Sequence, residues 1–341
     1  MYLNKTLIAG PCSAESEEQV FETARQLQGI GVDYFRAGLW KPRTTPGCFE
    51  GVGAKGIPWM QRVRREFGMP ICTEVAFKEH VELCLDAGFD LFWIGARTSA
   101  NPFLMQELAD ALKGNDVTVL VKNPINPDLE LWLGAVERLR RAGLEKVGVI
   151  HRGFSSYEKI RYRNAPGWQI VFELRRRYPE IPFYSDPSHM AGDASLVAEA
   201  AQHSLALDID GLMVEAHCNP AQALSDARQQ LTPEELRLML KMLRIRSSES
   251  PDPAVRKALE GYRDEIDALD ERIVGLLSDR MEISRRLGAL KKENNLYIIQ
   301  AERWHAVVRN VCAAARGCGL REDFVRSVFS VIHDASIDEQ N

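Results

Sequence analysis

Leu7-Ile8-Ala9-Gly10-Pro11-Cys12-Ser13 is the stretch that decides how the chain folds. Its short apolar run predicts a buried β-strand, and the Gly-Pro pair ends that strand and presents a thiol at its tip. Further apolar runs along the chain also end abruptly in charged or metal-capable side chains. This pattern indicates a protein in which strand ends, rather than scattered loops, carry the chemistry.

The bulk composition excludes several classes of protein. With 341 residues, 45% of them hydrophobic, the chain is long enough for more than one domain with an ample core. A formal net charge of −5 without a dominant basic block argues against nucleic acid or an anionic membrane as a partner. No long apolar run and no signal-like N-terminal segment occurs. The seven cysteines are scattered without a Cys-x-x-Cys pair, so we expect a reduced, cytoplasmic protein.

A short polar segment broken by prolines, from Ser247 to Pro253, predicts a linker. Before it, apolar runs alternate with amphipathic segments, whereas after it the pattern is helical and rich in Leu, Arg, Glu and Asp. We therefore expect a first domain over residues 1–246, a linker over 247–255 and a second domain over 256–341.

Eight short β-like runs recur through the first domain, with helical segments between them. This alternation predicts an α/β fold of parallel βα units, and eight such units in about 250 residues match the size of a (β/α)8 TIM barrel. The second of these predicted strands runs from Tyr34 to Leu39. A doubly wound open sheet is the alternative, but no Gly-rich dinucleotide turn supports it.

Six cationic side chains fall at the predicted carboxyl ends of these strands. Reactive groups of parallel barrels lie at these ends, so we expect the six to converge. Their mutual repulsion requires anionic partners, and too few acids follow the same strands to neutralise all of them. A substrate with phosphate and carboxylate groups is therefore favoured over structural ion pairs alone. The six are Arg36, Lys41, Arg43, Arg97, Lys122 and Arg152.

Four other side chains at or after strand ends could hold a metal ion, namely Cys12, His189, Glu215 and Asp226. A thiolate, an imidazole and two carboxylates suit a borderline divalent ion such as Mn, Fe, Co or Zn rather than Ca or Mg. Each residue also has an ordinary explanation, because a lone cysteine is often a small buried hydrophobe and Asp226 could cap a helix. Spacing alone leaves both interpretations open.

Six motifs occur in this order: Ala9-Gly10-Pro11-Cys12-Ser13, Lys41-Pro42-Arg43-Thr44, Ile94-Gly95-Ala96-Arg97, Asp186-Pro187-Ser188-His189, Val214-Glu215-Ala216-His217 and Ala223-Leu224-Ser225-Asp226. Together they resemble 3-deoxy-D-arabino-heptulosonate 7-phosphate (DAHP) synthase in its compact, short-barrel form. That family condenses phosphoenolpyruvate with erythrose 4-phosphate at the start of aromatic amino-acid synthesis. The resemblance covers most of residues 5–235.

The resemblance implies a role for each candidate residue. The ligands of one divalent metal ion, with Mn favoured, would be Cys12, His189, Glu215 and Asp226. Phosphoenolpyruvate would be held by Arg97, Lys122 and Arg152, with Arg36 at its carboxylate. Erythrose 4-phosphate would be bound by Lys41, Arg43 and Thr44, and Lys41 would donate a proton to the new alkoxide.

The chain departs from the family pattern in places. Met190 and Asn123 stand where a small residue and an arginine are common, and His217 and Cys218 could compete with Cys12 as metal ligands. A sister family, which makes 3-deoxy-D-manno-octulosonate 8-phosphate, typically carries Lys-Ala-Asn-Arg-Thr-Ser where this chain has Lys41-Pro42-Arg43-Thr44. This difference favours the four-carbon sugar phosphate as substrate.

The second domain opens with apolar residues at helical spacing from Pro253 to about Lys292. A helix of roughly 36 residues is about 54 Å long. The two helices predicted after it, over 298–316 and 322–339, are too short to cover its apolar stripe. We therefore expect an all-helical domain of three helices that forms an intertwined homodimer, although a plain dimerisation helix has the same pattern.

Arg263, Arg280 and Lys291 form a cationic row along this long helix, in which 17 residues separate the first two and 11 residues, close to three full turns, separate the last two. Arg263-Asp264-Glu265-Ile266-Asp267-Ala268-Leu269-Asp270 resembles the opening signature of the all-helical chorismate mutase. Further residues of that family's pattern follow at matching spacings, and the resemblance covers 257–341. They are Arg280, Lys291, Arg303, Ser336 and Gln340.

This second resemblance implies a pocket that rearranges chorismate to prephenate without an acid, base or nucleophile. The substrate would be bound by Arg280, Arg303, Ser336 and the partner subunit's Arg263, while Lys291 and Gln340 would donate to its ether oxygen. Trp304 and Gln300 stand where acids are common, so turnover could be weak. Two hypotheses follow: a bifunctional enzyme whose barrel is inhibited by prephenate or chorismate, or a DAHP synthase whose helical domain only binds a regulatory ligand.

Overall fold

The structure is a computed structural model that describes residues 4–43, 46–157, 160–246 and 250–340. Its contacts divide the chain into two compact units, residues 1–248 and residues 249–341. Among the described residues, none of the helices has both the length and the apolar character needed to cross a membrane.

The first unit is a closed barrel of parallel strands, in which each strand pairs with the next and the last pairs with the first. The described strands are β1 (Thr6–Gly10), β2 (Tyr34–Arg36), β3 (Ile71–Val75), β4 (Leu91–Ile94), β5 (Thr118–Lys122), β6 (Val147–His151), β7 (Phe183–Ser185) and β8 (Gly211–Glu215). The prediction of a (β/α)8 barrel is therefore confirmed.

Helices follow the strands and pack around the barrel. Local sequence sets their ends: the Ser16 side chain accepts from the backbone N–H of Gln19, and Thr232 forms a capping box with Glu235. The described helices of this unit are α1 (Glu17–Leu27), α2 (Ile57–Phe67), α3 (Lys78–Asp86), α4 (Pro102–Leu112), α5 (Leu129–Arg141), α6 (Trp168–Arg177), α7 (Pro187–Ala191), α8 (Ala194–Leu205) and α9 (Pro233–Met242).

The barrel unit has an outer core between strands and helices and a smaller core inside the barrel. The inner core contains Ile8, Cys72, Leu91, Trp93, Leu120, Ile150 and Met213. The guanidinium of Arg36 lies over the Trp93 ring, 4.8 Å from its centroid, and the Lys122 ammonium is 5.9 Å from the same ring. Trp93 thus contacts the polar groups nearer the carboxyl ends of the strands.

Strand β2 ends at Arg36, three residues before the predicted end at Leu39. The backbone leaves the strand at this point and turns towards Cys12, and the N–H of Gly38 donates to the Cys12 carbonyl at 3.3 Å. A Cβ at Gly38 would lie 2.8 Å from that oxygen, so only glycine permits the approach. The bend brings Lys41 to the thiol-bearing loop, since its Nζ donates to the same carbonyl at 3.2 Å.

The second unit is all-helical, as predicted, and its described helices are α10 (Pro253–Glu293), α11 (Ala301–Gly317) and α12 (Glu322–Asp338). Helix α10 has 41 residues, of which only Ser284, Gly288 and Lys291 are buried. A Cβ on Gly288 would lie 2.6 Å from Cα of Gln340, which shows how closely the chain packs there. Apolar side chains along α10 stay largely exposed, among them Tyr262, Ile266, Leu269, Ile273, Leu276, Ile283, Leu287 and Leu290.

Candidate functional site

The barrel mouth brings the predicted metal ligands together. Ligand atoms of Cys12, Glu215 and Asp226 all lie within 4.8 Å of one another, which makes a site that could hold a metal ion. The Nε2 atom of His189 lies 3.7 Å from Oε1 of Glu215 and 3.9 Å from Oδ2 of Asp226. Cys12 follows β1, Glu215 ends β8, His189 lies in α7, and Asp226 lies in the loop after β8.

The orientation of His189 fits a metal ligand. Its Nδ1 lies 2.7 Å from Oδ2 of Asp186, which places the ring proton on Nδ1 and leaves the Nε2 lone pair facing the carboxylates. Burial lowers the pKa of His189, so the ring is neutral at physiological pH. Asp186 also accepts from the backbone N–H of His189 at 3.0 Å and from Nζ of Lys122 at 2.6 Å.

The electrostatics of the cluster also fit a cation. Burial, followed by the charge of Glu215, raises the pKa of the Cys12 thiol to about 12. Asp226 lies beside the same thiol, with its Oδ2 3.5 Å from Sγ. A sulfur and two carboxylates sheltered from water are stabilised by a divalent ion, which displaces the thiol proton on binding. Sulfur, imidazole and carboxylate donors together match a borderline transition metal.

Two glutamines that sequence reasoning missed hold these ligands in place. Gln230 accepts from the backbone N–H of Cys12 at 2.9 Å and donates to the Ser225 carbonyl at 2.8 Å. Gln229 donates to Oε2 of Glu215 at 2.7 Å. Both roles depend on contacts across the closed barrel, and no pattern in the single sequence indicates them.

His217 and Cys218, the competing ligand candidates, make their contacts elsewhere. The Nδ1 atom of His217 accepts from the backbone N–H of Asn219 at 2.8 Å, and its Nε2 is 3.6 Å from Oε2 of Glu15. The backbone N–H of Cys218 donates to Thr23 at 3.2 Å. The group of mutually close ligand atoms among the described residues contains Cys12 instead.

A polar cavity of about 70 Å³ opens at the barrel mouth. Its lining includes five of the six predicted cations together with Glu74, His189 and Asp226, and also Arg163, which sequence reasoning missed. The five are Lys41, Arg43, Arg97, Lys122 and Arg152. Burial lowers the pKa of Arg152 to about 10, so this guanidinium is still charged at neutral pH. Thr44, the remaining sugar-phosphate candidate, lies outside the described residues.

Structural acids pair with more of these cations than the sequence suggested. Carboxylates lie within 4 Å of four of the six: Arg36 with Glu215 at 3.0 Å, Lys41 with Glu74 at 3.9 Å, Arg43 with Asp226 at 3.7 Å and Lys122 with Asp186 at 2.6 Å. These carboxylates offset part of the positive charge, and Asp186, Glu215 and Asp226 also contact His189. Arg152 instead donates to Oδ1 of Asn164 at 2.9 Å.

Arg36 lies deeper than its expected role requires. It is fully buried, it does not line the mouth cavity, and its guanidinium binds Oε1 of Glu215. Lys41 is also buried. Burial alone would lower its pKa, but the facing Cys12 and Glu74 groups raise it, so Lys41 is a cation with a proton to donate.

A second cavity, of about 220 Å³, lies between the helices of the C-terminal unit. Five of the predicted mutase residues line it: Arg280, Lys291, Arg303, Ser336 and Gln340. Nζ of Lys291 donates to Oε1 of Gln340 at 2.9 Å and to the Ile298 carbonyl at 2.7 Å. Arg280 donates to the Ser336 hydroxyl. One chain thus supplies a cationic pocket with preoriented donors.

The same cavity differs from the expected pattern on one wall. Trp304 and His333 stack there, with ring centroids 4.2 Å apart and planes 14° apart, and sequence reasoning missed His333. None of the described residues that line the cavity is acidic. Arg263 is exposed and is not among the lining residues.

Comparison with known proteins supports both resemblances. Residues 3–248 match the family model described as the DAHP synthetase I family, and residues 262–341 match the model of chorismate mutase type II. Phospho-2-dehydro-3-deoxyheptonate aldolase from Thermotoga maritima is 33% identical over 226 residues, or 66% of this chain. The chain spans 65% of the length of that relative.

Other relatives share the barrel. The 2-dehydro-3-deoxyphosphooctonate aldolase of Wolinella succinogenes is 25% identical over 70% of this chain and 97% of its own length. The crystal structure of the DAHP synthase of Thermotoga maritima matches with a TM-score of 0.63 and 31% identity, covering 70% of this chain and 67% of that one. A truncated form of the enzyme from the same organism matches with a TM-score of 0.60 and 29% identity, covering 70% and 84%.

The family match over residues 3–248 agrees with the ordered motifs and with the ligand cluster at the mouth of a closed eight-stranded barrel. This chain therefore belongs to the DAHP synthetase I family, and it carries a C-terminal region of the chorismate mutase type II family.

Proposed function

We propose that this chain is a bifunctional shikimate-pathway enzyme. Its barrel condenses phosphoenolpyruvate with D-erythrose 4-phosphate to DAHP and phosphate, and its helical domain rearranges chorismate to prephenate. The observation that supports the first activity best is the close grouping of Cys12, Glu215 and Asp226 beside a cavity rich in cations. The domain limits that we assign are 1–246, 247–255 and 256–341.

The cations at the barrel mouth position two anionic substrates. Arg97, Lys122 and Arg152 line the cavity and would hold the phosphate and carboxylate of phosphoenolpyruvate, with Arg36 beneath them. Lys41 and Arg43 lie on the Cys12 and Asp226 side, where erythrose 4-phosphate would enter, and Thr44 would extend that subsite. Most of the catalytic task is to bring two multiply charged anions into contact, and fixed cations accomplish it.

The condensation then needs a proton donor and a water molecule. C3 of phosphoenolpyruvate attacks the aldehyde carbon, and Lys41 donates a proton to the resulting alkoxide. Water adds at C2, and phosphate leaves with cleavage of its C–O bond. Cys12, His189, Glu215 and Asp226 would hold one divalent ion from the group Mn, Fe, Co or Zn, of which we favour Mn from the family resemblance. When bound, this ion supplies a Lewis acid for the aldehyde oxygen.

The test of the barrel activity is the loss of phosphoenolpyruvate absorbance when erythrose 4-phosphate is added, before and after removal of metal by a chelator. We expect consumption in the untreated protein, its loss after chelation and its return with Mn²⁺. Consumption that survives complete removal of metal would overturn the metal-dependent mechanism. A five-carbon aldose phosphate, which together with the three carbons of phosphoenolpyruvate would give the eight-carbon product of the sister family, serves as the control substrate and should not be consumed.

In the helical domain, catalysis is the holding of one reactive conformer. Arg280, Arg303 and Ser336 would bind the carboxylates and hydroxyl of chorismate, while Lys291 and Gln340 would donate to the ether oxygen as its bond breaks. Loss of chorismate in an assay of the purified protein tests this role. A protein that binds chorismate but does not consume it would support the alternative, a helical domain that acts only as a ligand-binding regulatory module.

We also infer that the helical domain forms a homodimer. Tyr262, Ile266, Leu269 and Ile273 are each more than half exposed on α10, and a second copy would cover them. Arg263 and Arg280 are 17 residues apart, or about 25 Å along the helix, so Arg263 cannot reach the cavity of its own chain. The partner's copy of this arginine would complete the site.

Mixing two inactive variants tests the dimer. Arg263→Ala and Arg280→Ala each damage one half of every site in a pure homodimer. If the site is shared, half of the dimers after unfolding and refolding together are mixed, and each has one intact site, so about a quarter of the wild-type mutase activity returns. Recovery of no activity, with dimers demonstrated by light scattering, would contradict a shared site.

Regulation is a further part of the proposed function. We propose that prephenate or chorismate bound in the helical domain inhibits the barrel, because the fusion joins an entry enzyme to a branch-point enzyme in one chain. Such coupling requires a difference in ligand affinity between two arrangements of the protein. Condensation rates should fall as prephenate is added to the intact chain, and cleavage in the Ser247–Pro253 linker should abolish the effect. Rates unchanged at saturating prephenate would refute it.

We also propose that the protein is cytoplasmic. Its seven cysteines are all free, and free cysteines are typical of proteins in a reducing compartment.

A further inference from the structure

Glu15 is a buried carboxylate that the proposed reaction does not use. It lies three residues after Cys12, just before α1, and its side chain is only 8% exposed. A buried carboxylate is costly unless donors surround it. The donors around Glu15 show what the residue does.

Each donor to Glu15 comes from a segment that carries a metal-ligand candidate. Oε1 accepts from the backbone N–H of Leu224 at 2.9 Å and from the Ser13 hydroxyl at 3.3 Å. Oε2 lies 3.6 Å from Nε2 of His217. Ser13 follows Cys12 directly, Leu224 is two residues before Asp226, and His217 is two residues after Glu215.

The tautomer of His217 directs its proton to Glu15. Because Nδ1 of His217 accepts from the backbone N–H of Asn219, a ring proton lies on Nε2, the atom that faces Glu15. His217 is itself 97% buried, and among the described residues its Nε2 has no hydrogen-bond partner within 3.5 Å, while Oε2 of Glu15 lies 3.6 Å away. Glu15 is therefore a carboxylate that this nitrogen faces without a closer hydrogen-bond partner among the described residues.

The loop that carries Asp226 requires contacts that hold its backbone in place. Asp226 has a φ of 44°, in the left-handed region that non-glycine residues rarely occupy. A conformation of this kind persists only where the surroundings impose it. Glu15 restrains Leu224 on one side of the loop, and the Ser13 and Ser225 hydroxyls bind each other between the Cys12 and Asp226 segments.

We propose that Glu15 is a positioning residue for the metal site, which ties the segments of Cys12, Glu215 and Asp226 into a ligand set formed before the ion arrives. This inference rests on the proposed metal site. Outer-shell groups of this kind typically change metal affinity about 10–100-fold when they are removed. Glu15 touches none of the reacting groups, so its effect is on affinity and on ligand geometry.

The experiment is a titration of the metal-free full chain with Co²⁺. Its thiolate-to-cobalt absorption reports whether Cys12 is bound, and competition with a chelator gives the affinity. Glu15→Ala should weaken Co²⁺ binding about 10–100-fold and reduce the thiolate band at saturation. Glu15→Gln keeps an oxygen that can accept from Leu224, so we expect it to recover part of the loss. Glu18→Ala, an exposed glutamate of the first turn of α1, is the matched control and should bind like wild type.

Thermal unfolding of the metal-free variants separates positioning from general damage. Glu15→Gln is the informative variant if Glu15→Ala does not fold, because a buried amide of the same size preserves packing. Wild-type Co²⁺ affinity and an unchanged thiolate band in Glu15→Ala or Glu15→Gln would overturn this inference. Cys12→Ala distinguishes a wrong metal site from a wrong role for Glu15. If Cys12→Ala also binds Co²⁺ like wild type, the proposed metal site itself is wrong. If Cys12→Ala loses binding while the Glu15 variants retain it, only the role of Glu15 is wrong.

Discussion

The barrel mouth and the helical cavity both concentrate cations, but they balance that charge differently. At the mouth, carboxylates from the same barrel pair with Arg36, Lys41, Arg43 and Lys122. In the helical cavity, none of the described lining residues is acidic, and the long helix beside it exposes an apolar stripe. Carboxylates of the barrel itself therefore offset part of the positive charge at the mouth before substrate binds, whereas we propose that the helical site is completed by its ligand and by a second copy.

The largest expected effect concerns the buried ion pair at the mouth. Arg36 and Glu215 are both fully buried, so Arg36→Met should leave the Glu215 carboxylate without its cation and lower the unfolding free energy of the metal-free protein by about 3–5 kcal/mol. Urea denaturation of the chelated protein measures the change. Arg36→Met combined with Glu215→Met should recover much of this loss, because an apolar pair carries no unbalanced charge.

An unfolding free energy that hardly changes in Arg36→Met would contradict this prediction, because the Glu215 carboxylate would then not depend on the Arg36 cation. The exposed ion pair of Arg228 and Asp193 is the matched control. Arg228→Met should change the unfolding free energy by less than about 1 kcal/mol.

The next effect concerns the helical cavity. Arg280→Ala should lower mutase turnover about 10²–10³-fold, because it removes one fixed cation and few other groups of the lining could take over its contact with the substrate. The unfolding free energy should change little, since Arg280 has no carboxylate partner in that lining. Condensation in the barrel without added ligand should be unaffected, and parallel assays of both reactions on one preparation measure the contrast.

Arg285→Ala serves as the control, because Arg285 lies five residues further along α10 and pairs with Glu282 and Glu339 on the surface. Mutase turnover close to wild type in Arg280→Ala would contradict the assignment of the cavity as the mutase site.

A smaller effect is expected in the pH dependence of the unfolding free energy. Burial lowers the pKa of His151, at the end of β6, from 6.5 to about 4. Since the unfolded chain takes up this proton below pH 6.5 and the folded barrel does not until about pH 4, the stabilising difference is present above pH 6.5 and is lost as the pH falls through this window. Between pH 7 and pH 5 the loss is about 2 kcal/mol.

His151→Gln removes this titration and keeps a donor for the Pro166 carbonyl, which lies 2.6 Å from Nε2. Denaturation curves at pH 7 and pH 5 should therefore diverge less in the variant than in the wild type. An equal pH dependence in both proteins would show that the ring titrates normally in the folded barrel.

The barrel could be predicted because its strands are short apolar runs bounded by Gly, Pro and charged residues. The error at β2 has a physical cause. Ala37 and Leu39 are buried like strand residues, but Gly38 lets the backbone approach Cys12, and the chain leaves the sheet there. An apolar residue at every second position indicates which side chains are buried. It cannot distinguish a buried strand from a buried bend.

The ligand candidates could be named because they lie in motifs of a known family. Their supports could not, because those contacts join distant positions: Cys12 and Gln230, for example, are separated by 218 residues. Glu15 lies shortly after the first motif in the sequence, but two of the residues that contact it are distant in the chain and come close to it only in the closed barrel. Similarly, the stack of Trp304 on His333 depends on how two helices pack, and neither residue alone predicts it.

Above all, we propose that Cys12, His189, Glu215 and Asp226 hold one divalent ion on which condensation depends. The most direct measurement is the Mn content and phosphoenolpyruvate turnover of Cys12→Ala, set against wild type after both are loaded with Mn²⁺ and gel-filtered. We predict about one ion per wild-type chain, and in the variant a large loss of ion together with turnover below about 1% of wild type. A variant that keeps both its ion and its full turnover would contradict the claim.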